Sequence, residues 1–283
     1  MLIFPSNVSF ATKAGVDLLL ERQDNRERRE EHQTIVGWLT PIDYASQQSD
    51  FTSRRQEGTG QWLLDSDEFQ RWLSQKQQTL FCPGIPGAGK TMITSIVVDN
   101  LCARFGNDGS TGIAYLYCNF RQQQDQKPAN LLASLLGQFS RGQPSLSNSV
   151  KSLYERYKVK QAPPSFDEIS HVLQSIMASY SSTFVVIDAL DECGNSDGGC
   201  RQFLAEIFKL QAKTGASLFA TSRFIPDIVE EFKGNPSLEI RADDGDVRRY
   251  LDGHMSQLRP FVSRKLDLQE EIKTEIVKAV DGM

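Results

Sequence analysis

The stretch from Gly84 to Thr91, Gly-Ile-Pro-Gly-Ala-Gly-Lys-Thr, fits the pattern G-x-x-x-x-G-K-[ST] and constrains the fold more than any other feature of the chain. Before it, Thr79-Leu80-Phe81-Cys82 predicts a short buried strand; after it, Thr91 to Leu101 predicts a largely apolar helix. A strand, a glycine-rich loop and a helix in that order make a phosphate cradle, which marks a nucleotide binder. The competing reading is a Gly/Pro-rich turn with Lys90 in solvent, and the flanking strand and helix count against it.

The residue types follow from the chemistry. Gly84, Gly87 and Gly89 let the main chain take conformations that a Cβ forbids, so that the N–H groups of this loop, Ala88 included, turn inward toward a bound polyphosphate. The helix that opens at Lys90 and Thr91 adds the partial positive charge of its N-terminus. Lys90 is expected to reach the β- and γ-phosphates, and the Thr91 hydroxyl to ligate Mg²⁺.

Composition sets the class of protein around this loop. The 283 residues are 39% hydrophobic and 24% charged, ordinary for a globular protein with one large α/β domain and a smaller appendage. The net charge is -5, and the 31 basic residues are interleaved with 36 acidic ones, which argues against a dedicated nucleic-acid surface. Cys82, Cys102, Cys118, Cys193 and Cys200 are scattered without the close pairing of a secreted disulfide frame or a zinc site, the pattern of a reduced, cytoplasmic protein. Cys193 and Cys200 flank a Gly/Asp-rich turn, but none of the three histidines lies near them in sequence, so a metal held by cysteine is not expected. Met1-Leu2-Ile3-Phe4-Pro5 is too short and turns polar too soon for a signal peptide, and no apolar run reaches membrane-spanning length.

Along the chain, residues 1–40 read as an N-terminal linker helix, 41–242 as the nucleotide-binding core and 243–283 as a helical segment. Helix is predicted over 13–39, apolar at Val16, Leu19 and Leu20 and again at Ile35, Val36, Trp38 and Leu39, with Pro41 ending it. Its charged middle pairs Asp24 with Arg28 and Arg26 with Glu30, which suits a solvated helix better than a coiled coil. The polar stretch Ser46 to Gly60 reads as irregular. Asp65 with Glu68 reads as a capping box opening a short helix with Phe69, Trp72 and Leu73 on one face. Further strands are predicted over 112–120, 183–187 and 218–222, with 238–240 a candidate fifth; helices are predicted over 128–139, 150–159 and from the Ser165/Glu168 capping box to about Tyr180. Thr183 to Ile187 is apolar nearly throughout, as parallel strands buried on both faces are.

Strands alternating with helices predict an α/β fold with a doubly wound, mainly parallel sheet. The carboxyl ends of its strands would bring Gly84, the acids after Ile187 and Arg223 together. Past Asp243 the chain reads as helical, over 247–251 and 268–280, and it stops at Met283 with no closing element, the reading of a fragment or a truncated architecture.

The second half of the site lies after Phe184-Val185-Val186-Ile187, an apolar strand that ends in Asp188. Asp188 is the candidate partner of Thr91 in holding Mg²⁺, usually through water. Asp191 and Glu192 follow one short turn later; one of them, Asp191 ahead of Glu192, is expected to orient or deprotonate the attacking water, with capping of the next helix or solvation of the turn as the alternative. Arg223 directly follows a buried strand, where it senses a γ-phosphate with its guanidinium fork or else lies on the surface.

These motifs together resemble a known family. The loop from Gly84 to Thr91 is paired with Ile187-Asp188-Ala189-Leu190-Asp191-Glu192, where a small residue follows the metal acid and two acids come later; the pairing resembles the NACHT class of signal-transducing STAND NTPases. The phrases Trp38-Leu39-Thr40-Pro41, Gly58-Thr59-Gly60-Gln61-Trp62-Leu63-Leu64, Phe81-Cys82-Pro83 before the loop and Asn130-Leu131-Leu132-Ala133-Ser134-Leu135-Leu136 are similar to the nephrocystin-like N-terminal module of fungal NOD-like receptors, over roughly residues 35–283.

The resemblance implies binding of ATP or GTP with Mg²⁺ and slow hydrolysis that toggles a closed and an open, self-associating state. It also implies a cytoplasmic setting, with effector and sensor parts not visible in this chain. It carries Lys90, Thr91, Asp188, Asp191 and Arg223 onto family positions and sets Gly58 and Thr59 in the segment near the base. No effector domain is recognisable before residue 35. Two rivals remain: a hydrolytic motor or kinase-like enzyme on the same fold, for which no acceptor-substrate pocket is marked, and a non-catalytic, truncated interaction module or adaptor.

Overall fold

Four strands carry the architecture: β1 (Thr79–Pro83), β2 (Thr111–Tyr117), β3 (Ser182–Asp188) and β4 (Ser217–Ser222), all parallel, in the spatial order β1-β4-β3-β2. The computed structural model describes residues 7–40, 42–122, 124–160, 162–193, 198–263 and 265–280. Ahead of β1 come helices α1 (Asn7–Leu39), α2 (Tyr44–Arg54), α3 (Gln61–Leu64) and α4 (Asp67–Ser74), and α5 (Lys90–Phe105) joins β1 to β2. Helices α6 (Pro128–Arg141), α7 (Asn148–Lys160) and α8 (Phe166–Met177) lie between β2 and β3, and α9 (Gly199–Thr214) joins β3 to β4. After β4 follow α10 (Pro226–Glu231), α11 (Asp244–His254), α12 (Pro260–Ser263) and α13 (Leu266–Val280).

Side chains alternate across a strand, so each strand feeds two cores. Phe81, Ala114, Leu116, Val185, Ile187, Leu218 and Ala220 face one layer, built from Leu132 and Leu135 of α6, Leu173 of α8 and Phe203 and Leu210 of α9. Leu80, Cys82, Phe184, Val186 and Phe219 face the other, built from Phe69 and Trp72 of α4 and Ile96, Val97 and Leu101 of α5. Apolar strands covered on both faces by crossover helices are the doubly wound arrangement that the alternating pattern predicts.

Both sheet edges are closed. At β2 the amide and carbonyl of Tyr115 meet the Gln138 side chain at 3.0 and 2.7 Å, and the fully buried Gln126 bonds the Tyr117 carbonyl and the Asn119 amide at 2.9 and 2.8 Å. Two glutamine amides thus stand in for a neighbouring strand along the second half of β2. Beside β1, the candidate fifth strand is an extended segment with a single bridge, Phe81 to Ser237, and three main-chain bonds, from Phe81 N to Pro236 O, Leu238 N to Phe81 O and Ile240 N to Pro83 O. It makes no full ladder.

Four local expectations are corrected. Residues 44–54 form α2 rather than an irregular stretch, capped by Asp43, whose carboxylate accepts the Ala45 and Ser46 amides at 3.1 and 3.2 Å. Its inner side mixes apolar and polar contacts: Tyr44 and Phe51 pack on the main core, while the buried Gln48 donates to Ser95 O at 2.9 Å and to Asp99 at 2.8 Å on α5. The N-cap of α4 is Ser66, accepting from Phe69 N at 3.2 Å, whereas Asp65 closes α3. The strand expected over 112–120 stops at Tyr117, and the helix expected to run to about Tyr180 stops at Met177. In α1 the charged middle is exposed, while Ile35, Val36 and Leu39 at its end are buried in the main core; Pro41 lies outside the described residues.

Trp72 is 1% exposed, donates its indole N–H to Leu218 O at 2.9 Å and packs against Phe69, Phe184 and Phe219. Trp72→Ala is expected to lower stability by about 3–5 kcal/mol in urea unfolding. A second prediction concerns acid. Bonds from Tyr157 and Ser165 hold the Glu168 carboxyl at about 2, so its stabilising effect is full above the ordinary carboxylate value and is lost as pH falls toward about 2. Glu168→Gln should therefore flatten the fall in thermal midpoint between about pH 5 and pH 2 relative to the parent chain.

Candidate functional site

The sheet register brings one end of every strand to the same edge: Pro83 pairs with Ser222, and Tyr117 with Asp188. The loop after β1 is pinned there by Gly84 N donating to Ser222 O at 3.0 Å. A Cβ at Gly84 would stand 2.5 Å from Ile240 O, inside any contact distance, so the close approach of the 236–240 segment admits only glycine. Gly89, the N-cap of α5, sits at φ 90°, in the left-handed region that a side chain resists, and Gly87 lies at φ 85°. These two residues turn the main chain around the mouth of α5.

Lys90 reaches back over this loop and donates to Gly84 O and Ile85 O, both at 2.8 Å. Burial pulls its ammonium below the ordinary lysine value, with the Asp191 and Asp188 carboxylates opposing. Beneath it lies Asp188, 2% exposed, which accepts three hydroxyl bonds of 2.7 Å: Thr91 on one oxygen, Thr94 and Thr221 on the other. Burial pushes the Asp188 carboxyl up, and the three hydroxyls with Lys90 offset part of that.

Past Asp188 the chain turns sharply at Ala189, a non-glycine at φ 52°, whose amide donates to Thr221 Oγ1 at 2.9 Å. The turn carries Asp191 back under β4. There Asp191 accepts from Ser222 Oγ at 3.2 Å and Arg223 N at 2.8 Å, and forms an ion pair with the half-exposed Arg223 guanidinium. Burial pushes the Asp191 carboxyl up, but the Arg223 amide and guanidinium outweigh it and hold the group below the ordinary carboxylate range. Glu192, beside it, accepts from Phe120 N at 3.2 Å.

Two cavities meet at the loop. One of about 350 Å³ is lined by Gly87, Gly89, Lys90, Thr91, Asp191, Glu192 and Arg223, among others. The second, about 440 Å³ and more apolar, shares Gly87, Gly89 and Met92 with it and is walled by Thr59, Gly60, Trp62, Ala88 and Ile93 on one side and Val247 and Tyr250 of α11 on the other. A polar chamber joined to an apolar one matches the two ends of a nucleotide. Asp246 joins these walls by accepting Gly60 N at 2.7 Å.

Of the residues singled out in sequence, Lys90, Thr91, Asp191, Glu192 and Arg223 line the polar chamber, Gly87 and Gly89 line both, and Thr59 and Ala88 line the apolar one. Asp188 lies just below Thr91. Gly84 anchors the loop without lining it, and Gly58 lines neither chamber, its nearest neighbour being the Arg249 side chain. Sequence reasoning passed over Thr94, Thr221 and Ser222, which orient the two acids. Thr94 stands three residues after Thr91 on the same helix face and was legible by spacing; Thr221 and Ser222 read only as strand. The α11 wall had no local signal.

No cluster of three or more His, Cys, Asp or Glu fit to hold a metal occurs among the described residues. The donor set at the loop is one hydroxyl and one carboxylate, hard oxygens few in number, and it fits Mg²⁺, which keeps waters and takes phosphate oxygens as further ligands.

A glycine loop closed on a helix N-terminus, with a lysine above and a hydroxyl–carboxylate pair below, defines a nucleotide-binding module of the P-loop NTPase class. The Nephrocystin 3, N-terminal family matches residues 58–223, more than half of the chain, and the chain belongs to that family. The vegetative incompatibility protein HET-E-1 of Podospora anserina is 24% identical over 239 residues, covering 78% of this chain and 17% of that protein's length. Among solved structures, the Aeropyrum pernix ORC1 protein in complex with DNA is 18% identical, with a TM-score of 0.45 over 71% of this chain and 49% of its own. The Walker-type ATPase PABY2304 of Pyrococcus abyssi is 14% identical, with a TM-score of 0.45 over 80% and 64%. Among the described residues no helix is long and apolar enough to cross a membrane.

Arg223→Ala removes the guanidinium from the buried Asp191 carboxylate but keeps the main-chain donor of residue 223. The expected loss is about 1–2 kcal/mol at neutral pH, less than for a fully buried pair because Arg223 is half exposed. The difference from the parent should shrink as pH falls through the carboxylate range, measured by urea unfolding at pH 7 and pH 4.

Proposed function

We propose that the chain is a nucleotide-dependent signal-transduction switch that binds ATP or GTP with Mg²⁺ and turns the nucleotide over slowly. The observation that carries this reading is the joined pair of chambers, in which Lys90, Thr91 and Asp188 serve the phosphate end while Thr59, Trp62 and Tyr250 serve the base end. A nucleotide in that cleft touches both the core and α11, so binding energy bears on how the 243–280 segment sits against the core. That is what a switch requires.

Each residue then has a task. An incoming phosphate competes with Gly84 O and Ile85 O for the Lys90 ammonium, and the N-terminus of α5 supplies its amides. Thr91 and Asp188 would hold Mg²⁺, which when bound neutralises charge on the phosphate oxygens. Asp191 orients the nucleophilic water and Arg223 sets its guanidinium at the terminal phosphate. Asp191 also accepts bonds from Ser222 and Arg223 on both its oxygens, and a carboxylate so engaged is a weak base, which supports slow turnover over a fast motor. Self-association and effector coupling belong to the same reading.

The test is thermal unfolding with and without Mg-ATP or Mg-GTP. At a hundred times Kd the ligand stabilises by about 2.7 kcal/mol, a shift of several degrees, and Lys90→Ala should abolish the shift while leaving the unliganded midpoint within about 2 °C. An unshifted parent chain would favour the non-catalytic adaptor; an unchanged shift in the variant would move the site elsewhere.

A further inference from the structure

Behind the acid turn two thiols face each other. Cys118 follows β2 directly and Cys193 closes the single 3₁₀ turn Leu190–Glu192; their sulfurs lie 2.7 Å apart although 75 positions separate them in sequence. Both are buried, at 6% and 1% exposure. Main-chain bonds fix each, Cys118 N to Asp188 O and Cys193 N to Leu190 O, both at 3.2 Å. A displacement of well under 1 Å separates this contact from the roughly 2.05 Å at which two sulfurs bond. The other thiols have different surroundings: Cys82 is buried in the opposite core, Cys102 is exposed on α5, and Cys200 donates to Leu190 O at 3.5 Å and lines a separate cavity of about 340 Å³ beside Asp191 and Arg223.

We propose that Cys118 and Cys193 form a reversible redox modification site, closed to an intramolecular disulfide by a peroxide, that fastens the turn carrying Asp191 and Glu192 to the end of the edge strand β2. The chemistry balances without a cofactor. One cysteine sulfur attacks a peroxide oxygen, breaking the O–O bond to give a sulfenic acid and one water; the second sulfur then displaces the hydroxyl, forming the S–S bond and a second water. Two thiols are oxidised and one peroxide is reduced; a dithiol reverses it.

Besides the sheet and the sulfur contact, Phe120 N donates to Glu192 at 3.2 Å across these two segments, and a covalent link restricts further how freely the acid turn can move. At 6% and 1% exposure the two sulfurs are poorly accessible to oxidant, so the pair reacts slowly until oxidant accumulates. Transient disulfides of that kind are the usual ones in a reducing compartment.

The test treats the full chain with hydrogen peroxide, denatures it in a thiol-blocking reagent and maps the digest by mass spectrometry. The expected result is a joined pair of peptides bearing Cys118 and Cys193, two hydrogens lighter than the reduced sum, abolished by dithiothreitol and absent from both Cys118→Ser and Cys193→Ser. The oxidised chain should also melt several degrees higher than the reduced one, because the link closes a long loop. Full alkylation of Cys118 and Cys193 at an exposure that oxidises Cys102 would overturn the proposal. So would links that join Cys82 or Cys102 as often, or a lowered midpoint, which would mean that the bond forms only in unfolded chains.

Discussion

Three hydroxyls converge on a carboxylate withdrawn almost wholly from water, and the site is assembled around that contact. Burying Asp188 unpaired would cost several kcal/mol, and each bond from a hydroxyl to a charged oxygen returns on the order of 1.5–3 kcal/mol. The hydroxyls come from different elements, Thr91 and Thr94 from α5 and Thr221 from β4. Satisfying one charge therefore fixes the helix behind the phosphate loop, the strand between β1 and β3 and the end of β3 in a single geometry. The proposed metal partner and the loop that would present the phosphates are held in one network.

Strand order makes this convergence possible. Because β4 lies between β1 and β3, its last residues stand between the glycine loop and Asp188, where Ser222 O anchors Gly84 and Ser222 Oγ and Arg223 hold Asp191. It is the position of β4 that delivers Arg223 to this point. The 236–240 segment on the far side of β1 closes the edge and crowds Gly84, so the conformation of the loop depends on chain that lies about 150 residues downstream.

The C-terminal helices have a different relation to the core. The buried apolar residues of α11, α12 and α13 are few, and their ties to the core include Asp246 on Gly60 N and the apolar wall made by Val247 and Tyr250. In the proposed switch, a segment that walls the cleft with so little buried apolar surface is the part expected to respond to what fills it. The large cores under α4, α5, α6, α8 and α9 have no such freedom.

Local pattern determined a good deal by itself. The spelling Gly84 to Thr91 follows from what a phosphate cradle must be, and the apolar runs ending at Cys82, Ile187 and Ser222 required buried parallel strands with helices on both faces. The Ser165/Glu168 box formed as its spacing predicts, because capping is a contact between residues three apart. Tertiary structure decided what depends on distant partners. Residues 44–54 dock as a helix through partners distant in sequence, Gln48 on Ser95 and Asp99 of α5 and Tyr44 and Phe51 on the main core. Thr94, Thr221 and Ser222 became orienting groups only when the strand order set them on the acids. The apolar chamber exists because α11 returns beside Trp62. The periodicity of a segment reports its own burial, whereas the identity of its neighbour is fixed by topology, and no pattern within one segment carries that information.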